Sequence, residues 1–159
     1  MPLFRPKAPA SLVANRLSDL DAIMSRQIES TIEGLNQPGI NPRVYQAMKH
    51  KTNDIVAFAV EFAMKTCLTE EELDSLANRT FLVGCAEYYW NRFNDIPKDM
   101  GIWSRARVEV MMAGNAFLET CGTTKTQEAD DGIRRFGADP FLKVYELAKR
   151  KLKSVRIVL

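Results

Sequence analysis

Apolar residues recur every three or four positions from Val13 through Leu17, Leu20, Met24, Ile28 and Ile32 to Leu35. At 3.6 residues per turn this spacing draws one continuous stripe along a helix of about six turns. A helix striped in this way must cover its apolar side, and the rest of the chain offers other helices to do so. Strand-like alternation is confined to Val155-Arg156-Ile157-Val158-Leu159, where it is weak. The expected class is all-α: a single domain of four to five main helices packed as a bundle or irregular helical array.

The punctuation fits that class. The first helix is expected to begin near Ser11, acting as N-cap after Pro9, and to end before Asn36-Gln37-Pro38-Gly39. Asn41 then caps a second helix with Pro42 at its first position, where a missing N–H costs nothing. That helix is expected to pause at Lys51-Thr52-Asn53 and resume from Ile55 to Leu68. Its second half is apolar nearly all round, which marks it as the central helix of the core. Thr69 and Glu72 have capping-box spacing. A third helix is expected from Glu70 to about Asn94, with Leu73, Leu76, Phe81, Val83, Trp90 and Phe93 as core contacts. A fourth runs from about Ile102 to Cys121, with Trp103, Ala106, Val110 and Phe117 on one face and Gly122 at C′. A short helix over 127–136 ends at Gly137, and Asp139-Pro140 opens the last helix.

A chain of 159 residues fits one domain and buries about two-thirds of its unfolded surface, so it needs neither disulfides nor metal to fold. Cys67, Cys85 and Cys121 are well separated and form no CxxC pair, which reads as three reduced, mostly buried thiols in an intracellular protein. The chain divides into a basic N-terminal tail (1–10), a helical body (11–139), and a basic amphipathic C-terminal helix with an apolar tail (140–159).

Charge is unevenly spread. Residues 1–18 hold Arg5, Lys7 and Arg16 and no acid, while residues 140–159 hold six cations against Glu146 alone. Of a formal total of +2, the ends carry +3 and +5, so the middle carries −6. An acidic body with two basic ends suggests a body that folds and ends that dock.

Several function classes find no support in the residues. The longest apolar run, Ile55 to Val60, stops at Glu61, far short of the ~20 residues a membrane-crossing helix needs. The N-terminus lacks a secretory h-region, whereas its basic, acid-free character resembles a mitochondrial targeting segment. The glycines form neither GxGxxG nor GxxxxGK[ST]. Glu61, Glu87 and Glu109 stand inside apolar stretches, but a carboxylate di-metal centre also needs Glu-x-x-His pairs. His50, the one histidine, has no such partner and stands between Lys49 and Lys51 as a surface residue at the helix pause. The three glutamates are expected on a solvated or salt-bridged face, with Glu61 four residues before Lys65 and Glu109 four after Arg105. No catalytic motif, metal site or cofactor site emerges, and the chain reads as non-enzymatic.

Two features look adhesive. Tyr88, Tyr89 and Trp90 are consecutive, and at ~100° per residue they cannot all enter one core. Part of this patch is expected to be exposed, or covered by another helix or by another chain, which makes the three residues candidate partner contacts. The last helix places Phe141, Tyr145, Ala148, Leu152 and Val155 on a narrow seam, with Lys143, Lys149, Arg150, Lys151, Lys153 and Arg156 away from it. Such a helix suits an acidic protein surface, nucleic acid contacted through residues 143–156, or peripheral contact with an anionic membrane. The reading these observations favour is an accessory, non-catalytic helical subunit of a multiprotein complex, a mitochondrial one in the first place. A nucleic-acid-binding module is the alternative.

Overall fold

The structure is a computed structural model that describes residues 4–34, 42–97, 99–101, 137 and 139–159. The described residues form five helices and two short strands: β1 (Lys7–Pro9), α1 (Ala10–Gly34), α2 (Pro42–Cys67), α3 (Glu70–Ala77), α4 (Glu87–Asp95), α5 (Asp139–Lys153) and β2 (Arg156–Val158). The class is mainly α, as the periodicity requires. The helices expected over 102–121 and 127–136, the Asn36–Gly39 turn and the Asn41 cap lie outside the described residues.

The α1 stripe is buried as its spacing dictates: Val13, Leu17, Leu20, Met24, Ile28 and Ile32 all face inward. α2 is the central helix. Ile55 to Val60 and Phe62 to Met64 are buried, and α2 packs against α5, α1 and α4 at once. Two phenylalanines one turn apart organise the interior. The Phe58 ring lies 5.5 Å from Tyr89, 4.9 Å edge-on from Trp90 and 5.5 Å from Phe141. Phe62 lies 5.9 Å from Phe93 and 5.5 Å from Tyr145. Each such ring pair adds about 0.5–1.5 kcal/mol beyond the area it buries, so this cluster ties α2, α4 and α5 together.

The α2 helix does not pause at Lys51-Thr52-Asn53. Thr52 and Asn53 are buried, and Asn53 Nδ2 donates to Glu29 Oε1 of α1 at 2.9 Å. The side chain that would compete with its own backbone in an isolated helix is occupied across the interface instead. His50 is exposed on an unbroken helix.

The Thr69 capping box is present in full. Glu72 N–H donates to Thr69 Oγ1, and Thr69 N–H donates to Glu72 Oε1 at 3.1 Å. The helix it opens ends at Ala77, however, well before Asn94. Residues 78–86 cross the bundle as a strap. Three of the strap's alternate N–H groups are taken by helix side chains: Phe81 donates to Ser18 Oγ at 2.9 Å, Val83 to Asp21 Oδ2 at 2.6 Å, and Cys85 to Asp54 Oδ1 at 2.8 Å. Those donors would otherwise serve a continuous helix, and here α1 and α2 satisfy them. The strap lies so close to α2 that a Cβ on Gly84 would overlap the Asn53 carbonyl. Phe81 and Val83, expected in the core, are turned outward and exposed. Leu82 takes the inward place against the core.

The chain ends also differ from expectation. Lys7–Pro9, expected as part of a basic tail, is a strand that pairs in parallel with Arg156–Val158. The register is Lys7 with Arg156, Ala8 with Ile157 and Pro9 with Val158. Arg156 N–H donates to the Pro6 carbonyl at 2.9 Å. Ala8 is buried and Ile157 packs against the core, which fixes the inner face of the pair.

Candidate docking surface at the joined ends

The sheet register decides where the charge goes. Residues paired in register send their side chains to the same face, and period two puts Lys7 and Pro9 opposite Ala8. With Ala8 and Ile157 facing in, Lys7, Pro9, Arg156 and Val158 face out and are exposed, apart from their backbone pairing. Two basic segments at opposite ends of the sequence thus become one surface. Arg5 is exposed just before β1, and Lys153 is exposed at the end of α5.

α5 delivers the remaining cations. Its buried face is Pro140, Phe141, Val144, Tyr145, Ala148 and Leu152, continued by Val155, which contains the seam expected from spacing. Lys143, Arg150, Lys153 and Arg156 are consequently exposed, while Lys149 and Lys151 are half-buried along their stems. Lys149 Nζ lies 5.7 Å from the Tyr145 ring, so that lysine is tethered to α5 itself. Among the described residues, none of Lys143, Arg150, Lys151, Lys153 and Arg156 makes an ion pair, and neither do Arg5 and Lys7. Arg150, Lys151 and Lys153 also stand in the last turn of α5, where the negative end of the helix favours cations. Placing Lys7 opposite Arg156 costs about 1 kcal/mol or less in water, a repulsion an acidic partner would turn into attraction.

Apolar side chains edge this surface. Phe4 precedes Arg5 and is 82 % exposed, and Val158 and Leu159 at the end of β2 are 48 % and 64 % exposed. Leu12, in the turn of α1 that follows β1, is also exposed. Cations next to exposed apolar groups can recognise a partner that is both acidic and amphipathic.

The aromatic triplet divides three ways. Tyr89 is fully buried, with its ring stacked on Phe58 and its hydroxyl 3.4 Å from the Lys51 carbonyl, so it is core and offers no surface to a partner. Trp90 is half-buried against Phe58. Its Nε1–H donates to Glu61 Oε2 at 2.6 Å, and Lys65 Nζ lies 3.8 Å from its ring. Glu61 and Lys65, expected on a solvated or salt-bridged face, both meet the indole and form no ion pair with each other. Tyr88 is 42 % exposed, with Lys51 Nζ 4.3 Å from its ring. Of the triplet, Tyr88 alone presents substantial surface.

Cys67 is half-buried and Cys85 exposed, both as free thiols, so burial does not describe them. Cys121 and Glu109 lie outside the described residues. Among the described residues no helix is long and apolar enough to cross a membrane.

Sequence reasoning picked out Lys149 to Arg156 but not the partnership of Arg5 and Lys7 with them. The weak alternation of residues 155–159 was the available signal, since a strand needs a partner strand. Compared with protein-family models, curated proteins and solved structures, the chain matches none.

Proposed function

We propose that this chain is a non-catalytic helical subunit of a larger multiprotein assembly, and that it docks through the surface formed where its two basic ends join. The observation that carries the reading is the Lys7–Arg156 pairing, which merges two cationic segments beside exposed Phe4, Val158 and Leu159. That these cations form no ion pair among the described residues supports it further. The acid-free first 18 residues make a mitochondrial complex the first setting to examine, with the segment retained as β1 and the buried start of α1.

The test is affinity purification of the tagged chain at low and high salt, with and without nuclease, beside a Lys153→Glu/Arg156→Glu variant. The expected result is a defined set of proteins that survives nuclease and is lost from the variant while its helical circular dichroism is retained. An identical protein set on both chains, or none on either, would refute the reading.

A second reading rests on the same exposed cations: a nucleic-acid-binding module contacting phosphates through residues 143–156. It requires nuclease-sensitive material and an affinity that falls steeply with salt.

A further inference from the structure

A trough lies on another part of the molecule, bounded by α2, α3, the strap and the start of α4. Its inner part encloses about 250 Å³ between Met64, Leu73 and Leu82, and it opens onto a wider shelf of about 540 Å³ beside Trp90. The inner volume falls just below the range of small-molecule sites and suits one long side chain reaching in.

The charge of the trough is specific. Among the described residues, Glu61, Asp74 and Glu87 line it against a single lysine, Lys65. Lys65 sits on the Trp90 ring, and among the described residues none of the three carboxylates makes an ion pair. Glu61 is also held in place. One oxygen accepts from the Trp90 indole at 2.6 Å, and among the described residues the other has no partner, at the half-buried edge of an apolar floor. A carboxylate fixed in this way loses little freedom when a cation arrives, so more of the contact energy appears as affinity.

We infer that this trough receives an arginine side chain from an apolar-flanked basic segment of a partner protein. The guanidinium meets Glu61 and the acidic rim, and the methylene stem lies on Leu73, Leu82 and Met64. Arginine fits better than lysine, because its planar, weakly hydrated head offers several donors to more than one carboxylate and tolerates partial burial. This contact is independent of the joined basic ends. It uses the opposite sign of charge and different elements, so either surface can fail a test without affecting the other.

The experiment uses the full chain, labelled with ¹⁵N, and follows the Trp90 indole N–H resonance, which reports directly on the bond to Glu61. A Trp103→Phe variant assigns the signal, since the chain has two tryptophans. The probe is acetyl-Leu-Arg-Leu-amide, and the control is the same peptide with neutral citrulline in place of arginine. The expected result is a saturable shift with the arginine peptide and about tenfold weaker binding of the citrulline peptide, as befits a charge-assisted hydrogen bond. Glu61→Gln should weaken arginine binding by a similar factor. Asp74→Asn, an exposed change on α3, provides a second variant if the first perturbs folding. The inference is overturned if the indole does not respond. Equal binding of the two peptides, or binding unchanged in both variants, overturns it as well.

Discussion

Asp21 offers the sharpest test of the packing described above. Its side chain has no exposure, it accepts from Val83 N–H at 2.6 Å through Oδ2, and its Oδ1 has no partner among the described residues. Burial is the dominant influence and raises its pKa from 3.8 to about 6, against the lowering effect of the Val83 hydrogen bond. A carboxyl whose folded pKa is raised favours folding while it is protonated. Below pH ~4 it is neutral in both states. As the pH climbs towards 6 the unfolded chain ionises first, so stability declines through that window and levels off above it. The full loss is about 3 kcal/mol. Asp21→Asn keeps an oxygen for the Val83 N–H but cannot ionise. Whatever the amide costs in burial is the same at every pH, so it cancels when two pH values are compared. The stability difference between variant and parent should therefore shift by about 2 kcal/mol in the variant's favour between pH 4.5 and pH 7.5. For a chain of this size that is about 4–8 °C in Tm. Urea unfolding at both pH values measures it. A difference that stays constant would mean that Asp21 titrates in the folded protein as it does in water, and the argument from burial would be wrong.

Gly84→Ala should force the strap off the Asn53 carbonyl and cost about 1–3 kcal/mol in urea unfolding; an unchanged midpoint would show that the approach is looser than described. Phe58→Ala removes the ring that touches Tyr89, Trp90 and Phe141 and should cost about 3–5 kcal/mol by the same assay. Removing residues 1–6 takes away the Pro6 carbonyl that accepts from Arg156, so the Arg156 amide should exchange with solvent far faster, while amides in the buried half of α2 should not change.

The α1 stripe and the central position of α2 could be read from the sequence because each depends on local spacing, and burial follows the 3.6-residue period. The Thr69 capping box was equally readable, being complete within four residues. The break after Ala77 was not. Leu73, Leu76, Phe81, Val83, Trp90 and Phe93 satisfy a helical pattern well enough, and what prevents the helix is tertiary: Ser18, Asp21 and Asp54 claim the strap's N–H groups from helices that lie more than thirty residues away in sequence. A trace of this was present. Asp21 follows Leu17 by four residues and precedes Ile28 by seven, so a carboxylate stands in phase with the apolar stripe, and Ser25 does the same one turn later. Polar groups on a buried stripe need partners, and the strap supplies one of them. The candidate surface was half legible for a similar reason. The cations of α5 share one helix, so their exposure follows from the seam beneath them. Arg5 and Lys7 join them only through a pairing that spans almost the whole chain.

That pairing also gives the reading of the two basic ends its physical content. A flexible basic tail spreads its charge over many conformations and gives up that freedom when it binds. Here the ordering has already happened. Ala8 is buried and Ile157 packs beside it, so burial on the inner face of β1 and β2 offsets the repulsion between Lys7 and Arg156 on the outer face. The two faces oppose each other in free energy, and the fold accepts the cationic face because the apolar one is held by the core. A rigid arrangement of like charges is poor design for stability and good preparation for an anionic partner, which meets cations at fixed spacing with little ordering left to do. Without the parallel register, Lys7 and Arg156 would be two isolated surface charges, each worth a fraction of a kcal/mol to any partner. With it they stand together beside Phe4 and Val158, and it is on this fixed arrangement that the proposed docking to an acidic partner rests.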